Sequence, residues 1–459
     1  MLYIIAGCAV IVVVTVCLLL NKNDVGAIRD FSEIKADSTL TALTLSESVS
    51  YFIYKGNPMG YEYELIKNFA DAYGLQLKIK TADNESHLIE LLNAGEGDVI
   101  AYTIPMTNQL KKQLIYCGHE SVNEQVLIQR SAPKDALLTD VTDMIGKEIW
   151  VVKGSKYYQR LANLNHELGG GIIIKIIEKD TVPVEDLIEM VSTGAISYTI
   201  SDKDIAQLNR TYFHNIDIRL QISHPQRSAW AVAKGASQLA DTLNAWFGDN
   251  ARSPRYKSIL KRYFEMSKMP GDEPAPILSA NAISVYDPLF KAAAKTLDWD
   301  WRLLASIAYQ ESKFDPESKS WAGAIGLMGL MPQTAEANEL DTANLTDPEG
   351  NIKAAANYIL KLKKIFPDSE DPEKKLRFVL ASYNAGPGHV LDARALARKL
   401  GKDPETWKGN VEECMKLKSL PEYYNDSICK FGYARGIETI NYVEHVIERW
   451  HYYREKVTE

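Results

Sequence analysis

A chain of 459 residues is long enough for two or three domains of ordinary size, each with its own apolar core. Apolar residues make up 46% and charged residues 24%, the balance of a globular protein rather than a disordered one. The formal net charge is −8 and no basic block stands out, which argues against nucleic acid as a partner. The five cysteines show no metal-ligand spacing, and neither a metal nor a cofactor is expected. Cys8 and Cys17 lie in an N-terminal apolar run and Cys117 stands alone. Cys414 and Cys429 are a pair if the compartment is oxidising; two ordinary thiols is the preferred reading.

In chain order, Leu2 to Leu20 is an apolar run of about bilayer length, and residues 1–21 read as an anchor or signal. No Lys or Arg precedes the run, and Leu18-Leu19-Leu20-Asn21-Lys22 is a poor cleavage site, so an uncleaved anchor is expected. Asp24 to about Thr41 reads as a polar tether. From there short strands alternate with helices. Ser50 to Tyr54, Gln76 to Lys80 and Asp98 to Thr103 read as strands, with helices at Tyr63 to Tyr73 and His87 to Ala94. Such βαβ alternation argues for an α/β domain over residues 42–264.

Gly60-Tyr61-Glu62-Tyr63-Glu64-Leu65 followed by Ala94-Gly95-Glu96-Gly97-Asp98-Val99 resembles the family-3 periplasmic solute-binding proteins. The resemblance implies two hinged lobes with a ligand between them. The second lobe would begin near Gly146, with Lys153-Gly154-Ser155 as its ligand-facing turn. The chain would return to the first lobe through Trp230-Ala231-Val232 and a helix from Leu239 to Phe247. It also implies that Asp202 faces a ligand ammonium, with Ser155 as a further contact. The Arg that amino-acid-binding members place a few residues after a Thr is missing after Thr107, where Leu110 and Lys111 stand instead. Uptake of a free amino acid is therefore disfavoured. The other reading of Asp202 is a capping or loop carboxylate.

Residues 265–284 are a linker by composition, with three prolines between Met266 and Pro276. Beyond it, residues 285–459 read as helices without strands: Tyr286 to Leu297, Trp301 to Lys313, Pro332 to Glu339, Asn351 to Ile365, Lys374 to Tyr383, Gly388 to Lys399 and Gly436 to Tyr453. Within Trp301 to Lys313, Leu303, Leu304, Ile307 and Ala308 form one apolar face. Glu311 ends that pattern on the side of Leu304 and Ile307. A half-buried carboxyl there suits a general acid, because desolvation raises its pKa.

Glu311-Ser312, then Ser320, Gly323, Gly326-Leu327-Met328 and Met331-Pro332, resemble the lysozyme-like lytic transglycosylase family without a gap. Two later blocks agree: Ser382-Tyr383-Asn384-Ala385-Gly386 and Glu438-Thr439-Ile440-Asn441-Tyr442-Val443. The stretches His389 to Leu396 and Phe431 to Gly436 narrow the resemblance to a membrane-bound branch. One position departs, Gly329 standing where most members carry Gln. The resemblance implies an all-α lysozyme-like fold and a single catalytic residue, Glu311. Ser312, Ser320, Met331, Tyr383, Asn384 and Tyr442 would contact substrate or line the cleft. It implies cleavage of the bond between N-acetylmuramic acid and N-acetylglucosamine in peptidoglycan strands, leaving 1,6-anhydromuramic ends.

The expected architecture is thus multidomain: a two-lobed α/β periplasmic-binding-protein-like domain, then an all-α lysozyme-like domain, with an N-terminal membrane segment. The expected function is murein cleavage with a ligand-binding domain that regulates it, its ligand a muropeptide or cell-wall peptide. The alternative is a catalytically weak or inactive cell-wall sensor or solute-binding protein, which Gly329 makes conceivable. The expected location is the periplasm at a membrane through the N-terminus. The resemblance favours the outer membrane; an uncleaved run would hold the chain at the inner one.

Overall fold

The computed structural model describes residues 27–131, 136–178, 182, 184–266, 268, 282–366 and 372–457. The apolar run 2–20 and most of the Pro-rich linker lie outside them. Among the described residues no helix is long and apolar enough to cross a membrane.

The strands are β1 (Thr39–Leu45), β2 (Phe52–Tyr54), β3 (Asn57–Met59), β4 (Gln76–Ala82), β5 (Val99–Pro105), β6 (Leu114–Asn123), β7 (Gln125–Arg130), β8 (Glu148–Val152), β9 (Ile173–Ile177), β10 (Tyr198–Asp202), β11 (Ile216–Asp217) and β12 (Gln226–Ala233). The chain divides into two compact units. One comprises the described part of Met1–Leu45 with Leu65–Val122 and Arg227–Ala251. The other comprises Ser46–Glu64, Asn123–Gln226 and Arg252–Glu459.

The first unit is built on a five-stranded sheet of order β4-β1-β5-β12-β6. Strand β1 runs parallel to β4 and β5, which the helices Tyr61–Ala72 and Glu85–Asn93 make possible as crossovers, and β12 returns antiparallel to β5. The segment read from sequence as a polar tether is part of this unit. It forms the helix Phe31–Ala36, and β1 already starts at Thr39. Asp30 caps two helices at once: its Oδ1 accepts from Phe31 N at 2.8 Å and from Leu239 N, at the start of the helix Ser237–Asn250, at 2.7 Å. Arg29 Nε donates to the buried Asp98 at 2.9 Å, and Asp98 also accepts from Thr41 N at 2.7 Å.

The second unit carries a sheet of order β11-β7-β10-β8-β9. Period-two alternation splits its core between the two faces. Leu127 joins Val151, Leu161 and Ile200 on one side, while Val126 and Ile128 join Leu187, Ile188 and Ala206 on the other. After the linker the chain is helical, as its periodicity suggests. The helices include Asp287–Leu297, Trp301–Ser312, Pro348–Lys363, Pro372–Ala385, Pro387–Lys399 and Gly436–Lys456. The helix Trp301–Ser312 runs through the middle of this domain and is buried on nearly every side. Asp300 starts it, accepting from Arg302 N at 2.9 Å, and Lys313 stops it in the left-handed conformation at φ 55°. Its buried polar side chains are partnered: Arg302 donates to Val457 O and Ser306 to Val446 O, each at 2.7 Å.

The same unit holds the two-stranded ribbon β2-β3. Its tip is Lys55-Gly56, with φ of 49° and 78°, the pair of positive values that a tight hairpin turn of matching twist needs.

Candidate active site

Glu311 sits one residue from the end of the central helix, at the wall of a cavity of about 330 Å³. Ser312, Ser320, Asn384 and Tyr442 line the same cavity. Tyr442, on the long final helix, donates its hydroxyl to Glu311 Oε1 at 2.9 Å. Burial, with the Glu311 carboxylate beside it, pushes the Tyr442 hydroxyl well above its ordinary pKa, so it is a donor at every physiological pH. Ser312 turns inward and donates to Leu327 O at 2.8 Å, tying the helix end to the glycine-rich loop. Ser320 Oγ accepts from Ala324 N at 3.0 Å within that loop. Asn384 Oδ1 accepts from Thr439 Oγ1 at 2.8 Å, which fixes the side chain at the cavity wall.

Two of the expected site residues stand back from the cavity wall. Tyr383 is buried and donates to Met328 O at 2.7 Å, so it props the loop behind Glu311. Met331 is buried at the start of the short helix Pro332–Glu336.

The opposite wall comes from the hairpin, the second α/β lobe and the linker, a contribution the sequence gives no sign of. Lys55 Nζ lies 3.0 Å from Glu311 Oε2 and 3.2 Å from Oε1. Both side chains are below a tenth exposed, at 8% and 9%. Behind Lys55, its backbone N–H donates to Ala385 O at 3.2 Å, and Ile53 O accepts from His389 Nε2 at 2.8 Å. That bond fixes His389 as the neutral tautomer protonated on Nε2, and burial pulls its pKa down to about 3. Phe52 and Tyr54 pack on Trp321, with ring centroids 6.5 and 5.5 Å apart. Tyr54 and Tyr212 each donate to one oxygen of Glu438, at 3.3 Å in both cases. Lys268, from the linker, lies 4.9 Å above the Trp321 ring and donates to Tyr263 O at 2.6 Å. Burial pulls the Lys268 ammonium down to about 7.

In the second lobe, the Asp202 carboxylate is buried and already occupied. Lys156 pairs with it, and Tyr157 Oη donates to it at 3.3 Å. Ser155 caps the helix Lys156–Glu167: its Oγ accepts from Tyr158 N at 3.1 Å and donates to Val152 O at 2.8 Å. Tyr61 is buried against Tyr263 and Phe264. Cys117, Cys414 and Cys429 are free thiols, and burial pushes Cys414 and Cys429 up to about 11.

Comparison with known proteins divides the chain by sequence family rather than by the two compact units. The family model for the transglycosylase SLT domain matches residues 288–405, and that for bacterial extracellular solute-binding proteins, family 3, matches residues 41–266. A membrane-bound lytic murein transglycosylase F of Desulfosudis oleivorans is 33% identical over 430 residues, which is 92% of this chain and 92% of the relative. The chain belongs to that family. A second member, from Pseudomonas fluorescens, is 32% identical over 447 residues, covering 96% of this chain and 89% of the relative. The match runs through both domains, so the fusion of a solute-binding domain to a transglycosylase domain is a property of the family and not of this chain alone.

Proposed function

We propose that the chain cleaves the β-1,4 bond between N-acetylmuramic acid and N-acetylglucosamine in peptidoglycan by lytic transglycosylation, with Glu311 as its one acid and base. The observation that carries this reading is the Glu311 carboxylate at the cavity wall with Tyr442 donating to it. Protonated Glu311 gives its proton to the glycosidic oxygen as the bond to C1 breaks. The resulting carboxylate takes the proton of the C6 hydroxyl, whose oxygen closes onto C1. No water is consumed, and the muramic end becomes a 1,6-anhydro ring. Glu438 is a second carboxylate lining this cavity, but Tyr54 and Tyr212 donate to its two oxygens and burial raises its pKa, so it is not the free base or nucleophile that a hydrolase needs.

The contacts of Lys55 support a regulated enzyme. With its ammonium on Glu311 and Tyr54 on Glu438, the segment Ser46–Glu64 fills the place a glycan would take. Cleavage then requires that this segment withdraw, and a muropeptide bound by the first domain near Asp202 and Ser155 is the proposed trigger. A ligand can drive that change only by binding the withdrawn state more tightly. The protein is membrane-associated and periplasmic in this reading. The apolar run 2–20 serves as its anchor; the family resemblance favours the outer membrane, and an uncleaved run would hold the chain at the inner one.

The test is digestion of purified sacculi by the full chain. Release of 1,6-anhydro-muropeptides that disappears in Glu311→Gln supports the reading. Products with reducing muramic ends would show hydrolysis instead, and undiminished release by Glu311→Gln would place the acid elsewhere.

A further inference from the structure

Gly329 lies beneath the Glu311 carboxylate in the loop that joins the central helix to Pro332–Glu336. A Cβ at this position would stand 2.2 Å from Glu311 Oε2 and 2.9 Å from its Cδ, closer than two such atoms approach. Its φ is 58°, and the turn is closed by Gly329 N donating to Gly326 O at 3.0 Å. Gly329 also supplies an acceptor: its carbonyl oxygen is 3.3 Å from Lys55 Nζ. The Lys55 ammonium therefore finds three oxygens, Glu311 Oε1, Glu311 Oε2 and Gly329 O, one for each of its protons. A buried ammonium is tolerated only when it is paired and hydrogen-bonded in this way.

We propose that Gly329 is a positioning residue for the regulated reaction. By carrying no side chain it lets the Glu311 carboxylate rest on the loop backbone, where Lys55 closes over it, so residue 329 sets the fraction of chains in which the hairpin is docked. The inference rests on the reading that Ser46–Glu64 restrains the cleft. A side chain at 329 turns the Glu311 carboxylate out of this seat. Lys55 then keeps the Gly329 carbonyl but loses the two oxygens that neutralise it. Hydrogen bonds to charged groups are worth enough that this loss should shift the docked population by roughly ten-fold or more.

The test uses the full chain and trypsin, which cuts after Lys55 only when the hairpin tip is accessible. Gly329→Ala is expected to raise the rate of cutting after Lys55 roughly ten-fold over the parent, in a variant that a cooperative thermal unfolding transition shows to be folded. Should the left-handed φ make the Ala variant fold poorly, Gly329→Asn serves, because Asn tolerates that conformation. Cutting at the parental rate in the folded variant overturns the inference. Lys55→Met, followed by release of 1,6-anhydro-muropeptides from sacculi, tests the underlying reading separately. Faster release by Lys55→Met with unchanged trypsin protection in Gly329→Ala leaves the restraint standing and removes Gly329 from it. No gain in release by Lys55→Met removes the restraint itself.

Discussion

Tyr442 Oη donates to Glu311 Oε1 at 2.9 Å across 131 positions of sequence, because the helices Trp301–Ser312 and Gly436–Lys456 lie against each other in the core. The proposed mechanism asks Glu311 to lose and regain a proton while its carboxylate stays aimed at one oxygen. A donor with a pKa raised well above the ordinary phenol value can hold the carboxylate without competing for the proton. Tyr442→Phe removes that donor and keeps the ring in the core. The expected loss is roughly 10- to 100-fold in the rate of anhydro-muropeptide release, the worth of one hydrogen bond to a charged group. The variant's pH profile should move as well, which a purely structural role for the ring would not produce.

The central helix was legible because its signals are local: an apolar period of three and four, Asp300 at the start, and a stop at Lys313. The Phe31–Ala36 helix was not, since six residues make fewer than two turns and the carboxylate that caps it is shared with a helix some two hundred residues away. Glu311 was legible through its motif, and so were its cavity neighbours Ser312, Ser320, Asn384 and Tyr442. Lys55 was invisible, because a contact between residues 256 positions apart leaves no pattern in either stretch. The Lys55-Gly56 pair reads as nothing more than a turn. The occupation of Asp202 by Lys156 was equally hidden: the motif marks the carboxylate, but a cation at the first position of a helix that precedes it in the chain, Lys156–Glu167, decides whether it is free.

That occupation makes a prediction of its own. A ligand ammonium that binds Asp202 must first displace Lys156, so its apparent affinity is reduced by the fraction of chains in which the pair is broken. Lys156→Ala is expected to tighten binding of a muropeptide bearing a free amino group by roughly ten-fold, and Asp202→Ala to abolish it. Isothermal titration of the full chain measures both. Equal affinity in the parent and in Asp202→Ala would mean that the ammonium is held elsewhere.

A second buried pair concerns stability. The Lys418 side chain is fully buried and bonds to Asp392, whose carboxylate also accepts from Lys430 N at 3.0 Å and Phe431 N at 2.9 Å. Lys418→Met keeps most of the volume and leaves the Asp392 charge with backbone amides alone. Breaking a buried pair from one side costs roughly 3–5 kcal/mol. Urea unfolding should show the midpoint fall accordingly. A change below about 1 kcal/mol would mean that the two amides suffice for Asp392.

Lys268 ties stability to pH. Burial holds its ammonium at about 7, against an ordinary value of 10.5, and the nearby Glu438 carboxylate offsets only part of that cost. Below about pH 7 the residue is protonated in both the folded and the unfolded chain, and the cost of burying the charge is felt in full. Between about 7 and 10.5 the unfolded chain holds the proton and the folded chain does not. Stability contributed by this residue therefore rises with pH across that window, by roughly 1 kcal/mol per pH unit. Lys268→Met removes the titrating group while keeping an apolar chain over Trp321. Other groups titrate in the same range, so the quantity to measure is the difference in unfolding free energy between parent and variant at pH 7.5, 8.5 and 9.5. The parent is expected to gain on the variant steadily as the pH rises. A constant difference would mean that Lys268 is charged in the folded chain throughout, its ammonium stabilised over the Trp321 ring and beside Glu438 more than burial disfavours it.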